Sequence, residues 1–252
     1  MTELLRVEGL TKNFGGLPVS SNVTFSLQTG ERTALIGPNG AGKTTLVNLI
    51  SGTLRPSSGN VFLEGKQVTQ LNQAARTRAG IVRTFQVGRL CRDLTVLENV
   101  RLPLIQRRRI GFRFWPSRST DEEIDAEAHD LLRGLGLEGL QTMTIARLAY
   151  GQQRLVEIAI ALALEPRVLL LDEPAAGVPE SESSLIFDVI DQLPAELPVL
   201  LIEHDMDLVF RFARRVIVLV SGAILTEGTS SEVAADCRVR DIYFGRAAHG
   251  LN

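Results

Sequence analysis

The sequence predicts an α/β fold with a buried, largely parallel β-sheet, an N-terminal antiparallel β portion and an inserted α-helical lobe. Three observations lead to this prediction. Short apolar runs separated by turn residues occupy residues 1–63. Helical periodicity then dominates from Thr95 to about Leu164. Continuous apolar runs return at Val168–Leu171 and Val199–Ile202, and the predicted helix Ser181–Leu193 between them indicates a parallel strand pair with a right-handed crossover.

The N-terminal part is predicted to contain three strands before its first helix. Leu4–Val7 and Val23–Leu27 have strand patterns, and Arg32–Ile36 is an apolar strand that enters a glycine-rich loop. Thr44–Ser51 follows with helical apolar spacing and ends at Gly52. A further strand and turn are predicted from Asn60 to Lys66.

Two helices are predicted within the lobe at about residues 90–165. Asp121–Leu132 has acidic residues in its first turns, as a helix N-terminus prefers, and a second helix begins near Gly151 and ends before Pro166. Downstream, Val216–Val220 and Ala223–Thr226 flank a Ser-Gly turn and predict a hairpin. The segment from residue 230 onward predicts a short tail with a helix near Tyr243.

Composition restricts the class of protein. The 252 residues are 44% hydrophobic and 22% charged, close to a globular average, which argues against disorder, collagen and coiled coil. A net charge of −2 does not favour nucleic-acid binding through bulk electrostatics. The two cysteines, Cys91 and Cys237, have no disulfide or metal spacing and favour a reducing compartment. The N-terminus has no signal-peptide pattern, and the apolar runs are shorter than the roughly 18 residues that cross a bilayer.

The most specific motif is a glycine-rich loop that fits G-x-x-x-x-G-K-[ST], with a predicted strand before it and a predicted helix after it. Its residues are Gly37, Pro38, Asn39, Gly40, Ala41, Gly42, Lys43, Thr44 and Thr45. Inward-facing backbone N–H groups and the positive helix end form a cradle for phosphate. Lys43 brings a cation to the β- and γ-phosphates, and the Thr44 hydroxyl can bind Mg²⁺. The motif predicts a P-loop NTPase core but leaves kinases, GTPases, helicases and transport ATPases open.

Asp172 and Glu173 follow the apolar run Val168–Leu171 and form a second candidate site. The first carboxylate can hold Mg²⁺ directly or through water, and the second can orient or deprotonate an attacking water. An Asp-Glu pair is also common in a solvated turn after a strand, so the pair alone leaves both interpretations open.

Taken in order with three more segments, these motifs resemble the ATPase subunits of ABC transporters. Arg83-Thr84-Phe85-Gln86 is similar to the glutamine loop of that family, Leu148-Ala149-Tyr150-Gly151-Gln152-Gln153 to its signature L-S-G-G-Q-Q, and Glu203-His204-Asp205 to its switch-histidine segment. The five elements extend over nearly the whole chain. The resemblance implies one ABC ATPase domain over residues 1–252, with a P-loop NTPase (RecA-like) core, an inserted lobe at about 90–165 and a tail at about 230–252.

Several strings resemble the importer subclass for branched-chain and other hydrophobic amino acids, among them Phe14-Gly15-Gly16-Leu17 and Ile202-Glu203-His204-Asp205-Met206. This resemblance implies a peripheral subunit at the cytoplasmic face of the cell membrane that hydrolyses ATP, with Mg²⁺, to energise import. The implied partners are a second ATPase subunit, two integral membrane permease subunits and, indirectly, an extracytoplasmic substrate-binding protein, with no nucleic acid. A heterodimer of ATPase subunits is favoured, and a homodimer stays open.

The resemblance also implies a role for each matching residue. Phe14 would stack on adenine, and residues 37–45 would hold the phosphates. Glu173 would be the general base, His204 would contact the γ-phosphate and attacking water, and Gln86 would complete the Mg²⁺ shell formed with Thr44 and Asp172. The signature would close over the ATP of the partner subunit through Ala149, Tyr150, Gly151 and Gln152.

Three positions depart from the family pattern. Ala149 replaces the signature serine, so no hydroxyl reaches the γ-phosphate from that position, and Tyr150 replaces a glycine. Pro179 stands where the family usually has an aspartate that couples the two sites. These departures suggest a heterodimer with unequal sites, and they keep a low-turnover nucleotide switch open as an alternative. A soluble ABC-type ATPase of translation or repair is the other alternative, although such proteins usually carry two ATPase units or long coiled coils.

The segment Arg107–Pro116 mixes four arginines with aromatic residues. An exposed loop that packs Trp115 on the lobe is the simplest interpretation, and a loop near the membrane surface is the next. Nucleic-acid binding is the least favoured of the three.

Overall fold

The computed structural model describes residues 2–84, 90–108 and 118–244. The strands in these ranges are β1 (Glu3–Phe14), β2 (Leu17–Gln28), β3 (Arg32–Ile36), β4 (Ser58–Leu63), β5 (Lys66–Gln67), β6 (Ile81–Arg83), β7 (Val168–Asp172), β8 (Val199–Ile202), β9 (Arg215–Val220) and β10 (Ala223–Gly228). The helices are α1 (Lys43–Ser51), α2 (Gln73–Ala79), α3 (Val96–Arg107), α4 (Arg118–Gly134), α5 (Tyr150–Ala163), α6 (Glu180–Asp191), α7 (Met206–Phe212), α8 (Ser230–Ala235) and α9 (Cys237–Phe244). Two 3-10 turns lie at Glu138–Leu140 and Ile145–Arg147.

The chain divides into two compact units. The first comprises Met1–Ile81, Arg167–Glu173 and Pro194–Asn252. The second comprises Val82–Pro166 and Pro174–Leu193. None of the helices among the described residues combines the length and apolar character needed to cross a membrane.

The described strands form two sheets, ordered β2-β1-β4-β5 and β10-β9-β3-β8-β7-β6. In the larger sheet, β3 lies parallel to both β8 and β9, and β7 lies parallel to β8. These strands are almost entirely buried, as their continuous apolar sequences require. The predicted parallel pair β7 and β8 is confirmed, and so is the antiparallel hairpin of β9 and β10.

The N-terminal strands are longer than the sequence predicts. Runs were expected at Leu4–Val7 and Val23–Leu27, whereas β1 and β2 each extend over 12 residues and pair antiparallel. Gly9 adopts a φ of 57° at a shift in register, and a polar stretch follows it in β1. Backbone pairing of β1 with both β2 and β4 holds this polar stretch in the sheet, so the strand continues past the end of its apolar pattern.

The second unit is the helical lobe with α6. The predicted helix Asp121–Leu132 lies inside α4, which buries Ile124, Ala128 and Leu132 at i, i+4 spacing. Helix α3 begins with a capping box between Thr95 and Glu98, in which the Glu98 N–H donates to the Thr95 hydroxyl and the Thr95 N–H donates to the Glu98 carboxylate. Helices α3, α4 and α5 pack against one another and form the core of this unit.

Candidate functional site

The glycine-rich loop connects a buried strand to a helix, as the motif requires. Strand β3 ends at Ile36 and α1 begins at Lys43. Gly42 is the N-cap of α1 and offers no side-chain acceptor, so the first-turn N–H groups of α1 are left for an external acceptor. The helix dipole adds positive potential at the same place. The loop is therefore an anion site formed by the backbone.

Two of the loop glycines are required by their surroundings. A Cβ on Gly37 would lie 2.2 Å from the carbonyl oxygen of Leu219. Gly42 has a φ of 99°, and a Cβ there would lie 2.6 Å from the carbonyl oxygen of Val19. The backbone of β9 and β2 thus packs directly against the loop and holds its shape, and a side chain at either position would force the loop to move.

Lys43 is buried beneath the loop, with 8% of its surface exposed. Its ammonium group donates to the carbonyl oxygens of Gly37 at 2.5 Å and Pro38 at 3.2 Å. Burial lowers the pKa of Lys43, and the negative charges of Glu173 and Asp172 oppose that effect. Both carboxylates of the predicted site therefore lie within electrostatic range of the Lys43 ammonium group.

Asp172 and Glu173 lie at the carboxyl end of β7. Asp172 is buried and pairs in register with Ile202 of β8, and the backbone N–H of Glu173 donates to the Ile202 carbonyl at 2.9 Å. Glu173 then adopts a φ of 48°, a left-handed conformation that is unusual for a residue with a side chain. Such strained conformations cluster at functional sites and persist when the surrounding structure imposes them. The sheet therefore fixes the backbone from which both carboxylates project.

His204 follows β8, the neighbour of β7 in the sheet. Its side chain is 63% exposed, and its backbone N–H donates at 3.2 Å to the carboxylate of Glu203, which is buried. The same carboxylate oxygen lies 3.7 Å from Nδ1 of His204. Glu203 thus anchors the backbone of His204 and leaves the imidazole open to a ligand, a role that the sequence analysis did not assign to it.

Three other residues predicted to contact the ligand have different outcomes. Phe14 lies at the end of β1 with 49% of its surface exposed, so it is not a core aromatic residue. The ammonium group of Lys12 lies 5.2 Å from the centre of its ring. Gln86, expected in the metal and catalytic sets, lies outside the described residues, as does Phe85. Thr44 is exposed at the start of α1, beside Lys43.

The C-terminal tail also reaches the phosphate loop. Tyr243 of α9 is half-buried, and burial raises the pKa of its phenol to about 12, while the nearby backbone N–H of Gly37 opposes that rise. The sequence predicted a helix that packs this tyrosine on the core. Its closeness to Gly37 had no sequence signal.

The signature residues open helix α5 in the second unit. Ala149 is the N-cap, and its backbone N–H donates to the side-chain carbonyl of Gln152 at 3.1 Å. The backbone N–H of Gly151 donates at 3.1 Å to the carboxylate of Glu182 on α6. The Tyr150 phenol accepts a hydrogen bond from Arg154 at 3.1 Å.

Arg154 joins the signature helix to the loop before α6. Its guanidinium group donates to the Ala176 carbonyl at 3.3 Å and pairs with Glu157 at 2.9 Å. Both charged side chains are buried, and burial raises the pKa of Glu157 against the opposing effect of Arg154. The sequence signal for this ion pair was the spacing of Arg154 and Glu157, which lie three residues apart in an otherwise largely apolar helix. Pro179, the third of the departures from the family pattern, is the N-cap of α6.

Carboxylates of the lobe neutralise the charges of the two described arginines of this segment. Arg107 donates to Glu127 at 2.5 Å and to the Ala163 carbonyl at 2.8 Å, and Arg108 pairs with Glu123 at 2.7 Å. These two arginines thus stabilise α4 and α5 rather than forming an open basic patch. Residues 109–117, including Trp115, lie outside the described residues.

Comparison with known proteins yields consistent similarities. Residues 20–176 match the family described as ABC transporter. The chain is 37% identical over 254 residues to the high-affinity branched-chain amino acid transport ATP-binding protein BraF of Pseudomonas aeruginosa, with 97% of this chain and 98% of that protein covered. It is 39% identical over 256 residues to the corresponding protein LivG of Escherichia coli K12, with 97% and 98% covered.

Solved structures give the same result. The ADP conformation of MJ1267, an ATP-binding cassette of an ABC transporter, superposes with a TM-score of 0.85 at 34% identity and covers 97% of this chain and 100% of that chain. A dimeric post-hydrolysis state of the cassette MJ0796, bound to ADP and Pi, gives a TM-score of 0.75 at 28% identity, with 90% and 99% covered. The predicted fold class is thereby confirmed.

Proposed function

This chain belongs to the ABC transporter family of ATP-hydrolysing proteins, and we propose that it energises the import of branched-chain or related amino acids. The single observation that carries ATP hydrolysis is the grouping of Lys43, Asp172 and Glu173 within electrostatic range at the phosphate loop. The cargo assignment rests on BraF and LivG, whose names state branched-chain amino acid transport and which match the chain over 97% of its length.

In this proposal the phosphate loop exchanges partners when ATP binds. Lys43 now donates to the carbonyl oxygens of Gly37 and Pro38, and the β- and γ-phosphates of ATP would take over its ammonium group. The backbone N–H groups of residues 40–45 would hold the phosphate oxygens, and Phe14 would stack on adenine. These contacts orient the γ-phosphate, which is most of what catalysis of phosphoryl transfer requires.

The residues present fit a Mg²⁺ ion as the cofactor. The Thr44 hydroxyl and the Asp172 carboxylate are oxygen ligands of the kind that Mg²⁺ prefers. Thr44 follows Lys43 at the start of α1, and Asp172 lies within electrostatic range of the Lys43 ammonium group. Gln86 is the third proposed ligand and is outside the described residues. When bound, Mg²⁺ would neutralise negative charge on the β- and γ-phosphates.

Glu173 is the proposed general base, and His204 is the proposed contact to the γ-phosphate. Glu173 adopts a left-handed backbone conformation directly after β7, and its carboxylate acts on the Lys43 ammonium group, which places it near the phosphate loop where it would accept the proton of an attacking water. The exposed imidazole of His204 can donate a hydrogen bond to a phosphate oxygen, while Glu203 holds its backbone.

We infer that the functional unit pairs two ATPase subunits, with each signature completing the ATP site of the other subunit. Ala149 and Pro179 support a heterodimer, since a different partner subunit would supply the residues that this chain lacks. Residues 1–252 would act as one ATPase domain. This domain would be peripheral to two permease subunits at the cytoplasmic face of the membrane. A purified complex that hydrolyses ATP at equal rates in both sites would contradict the unequal pairing.

Uptake of radiolabelled leucine by cells that carry or lack this chain tests the cargo. We expect uptake to depend on the chain, to be lost with Lys43→Ala, and to be competed by unlabelled isoleucine and valine. Undiminished leucine, isoleucine and valine uptake without the chain would contradict the import assignment.

A further inference from the structure

Helix α5 lacks the side-chain cap that a serine at its N-cap would supply. An N-cap serine accepts a hydrogen bond from the N–H of the second or third helical residue, and Ala149 has no acceptor in its side chain. Gly151 is the second helical residue, and its N–H instead donates at 3.1 Å to Glu182. A carboxylate 31 residues away in sequence therefore takes the place of the missing hydroxyl.

The position of Glu182 is set by the start of α6. Pro179 caps that helix, and its carbonyl oxygen accepts from the backbone N–H of Glu182 at 2.8 Å and of Ser183 at 3.0 Å. Glu182 is half-buried in the first turn, where a negative charge is favoured by the dipole of α6. The same carboxylate lies at the positive end of α5, so two helix N-termini hold it in place.

Glu182 also occupies the space in front of the signature glycine. A Cβ on Gly151 would lie 2.6 Å from the carboxylate oxygen of Glu182 and 3.2 Å from the Cβ of Glu182. The N–H of Gly151 thus points at an anion supplied by this chain. One N–H cannot serve two anionic acceptors well, and two negative charges that meet there repel each other.

We propose that Glu182 is a positioning residue that holds the signature N–H of Gly151 in the separated subunit and must withdraw when the γ-phosphate of the partner subunit arrives. The inference rests on the proposed function, in which this signature completes the partner's ATP site. Glu182 stabilises the α5 N-terminus without a serine, and its charge raises the ATP concentration at which the subunits close. The missing hydroxyl at Ala149 and the carboxylate of Glu182 thus concern the same hydrogen-bonding site, the N–H of Gly151.

The test is the ATP dependence of hydrolysis by the assembled transporter with Glu182→Gln. Glutamine keeps the size of the side chain and an acceptor for Gly151 but removes the charge. We expect KM for ATP to fall by about fivefold or more, because a repulsion between unit charges near 4 Å is worth that factor even in water, while kcat changes little. Raising the salt concentration should shrink the difference from the parent, because ions screen the repulsion.

Asp188→Asn is the matched control, since Asp188 is an exposed acid on the same helix six residues further on. It should leave KM unchanged. If Glu182 only caps α5, Glu182→Gln would leave KM unchanged or raise it, and either result would overturn the proposal. Adding Ala149→Ser should restore the thermal stability lost on Glu182→Ala, because serine again supplies an acceptor to α5.

Failure of the proposed function would look different. In that case the parent transporter would show no ATP hydrolysis sensitive to Glu173→Gln, whatever residue stands at position 182. Parent activity with normal sensitivity to Glu173→Gln, combined with an unchanged KM in Glu182→Gln, would reject the role of Glu182 alone.

Discussion

Arg76 stabilises the helix that carries the phosphate loop, and its removal should destabilise the first unit. The side chain is 1% exposed. Its guanidinium group donates to the carbonyl oxygens of Leu49 at 2.6 Å, Ile50 at 2.7 Å, Thr69 at 2.6 Å and Leu71 at 3.1 Å. Leu49 and Ile50 lie in the last turn of α1, whose carbonyl groups have no partner within the helix.

The substitution Arg76→Met keeps most of the buried stem and removes every donor. Each buried carbonyl left without a partner costs about 1 kcal/mol or more, so four such groups sum to roughly 4 kcal/mol. Burial lowers the pKa of Arg76 to about 10, so the side chain is still protonated at neutral pH. Burying this charge has its own cost in the unsubstituted protein, and removing the charge therefore offsets part of the loss. We expect a net loss of about 3 kcal/mol, or roughly 6–12 °C in Tm.

Thermal unfolding followed by circular dichroism measures this loss, with Arg78→Met as the matched control. Arg78 lies two residues further along α2 and is exposed, so its substitution should change stability by less than about 0.5 kcal/mol. ATP should also raise the Tm of Arg76→Met less than that of the parent, because α1 carries the phosphate loop. Equal Tm values for the two variants would refute the assignment of Arg76 as the cap of α1.

Three further predictions concern the loop and the lobe. Lys43→Ala should abolish binding of a fluorescent ATP analogue while leaving Tm within a few degrees of the parent; retained binding would contradict the proposed phosphate contact. Gly42→Ala should lower both Tm and nucleotide affinity, because its Cβ would meet the Val19 carbonyl at 2.6 Å; unchanged affinity would count against this packing. Hydrogen bonds from the backbone N–H and the hydroxyl of Thr95 lower the pKa of Glu98; Thr95→Ala removes only the hydroxyl bond and should raise that pKa part of the way in an NMR titration, and an unchanged value would exclude the hydroxyl contact.

The larger sheet was predictable because its strands carry continuous apolar runs bounded by turn residues. The strand before Lys43 and the strand before Asp172 are buried on both faces, which removes polar alternation and leaves a clear signal. Helix α2 and strand β6 had no such signal. Helix α2 buries an arginine instead of an apolar stripe, and β6 has only three residues, so tertiary contacts decide both elements.

The phosphate loop and the Asp172-Glu173 pair were predictable because their chemistry depends on residues that are contiguous in sequence. The contacts of Arg154 and Glu182 join segments that are 22 and 31 residues apart, and periodicity carries no information about such pairs. The anchoring of His204 by Glu203 involves neighbours in sequence, yet it depends on which carboxylate is buried, a property of the folded sheet.

ATP hydrolysis that depends on Glu173 is the central claim, and phosphate release measures it most directly. The assay compares the purified chain alone with the assembled transporter, each beside Glu173→Gln. We predict weak activity alone, a higher rate in the transporter, and a loss of about 10²–10⁴-fold in Glu173→Gln with ATP still bound. A Glu173→Gln transporter that releases phosphate at the parent rate would contradict the account.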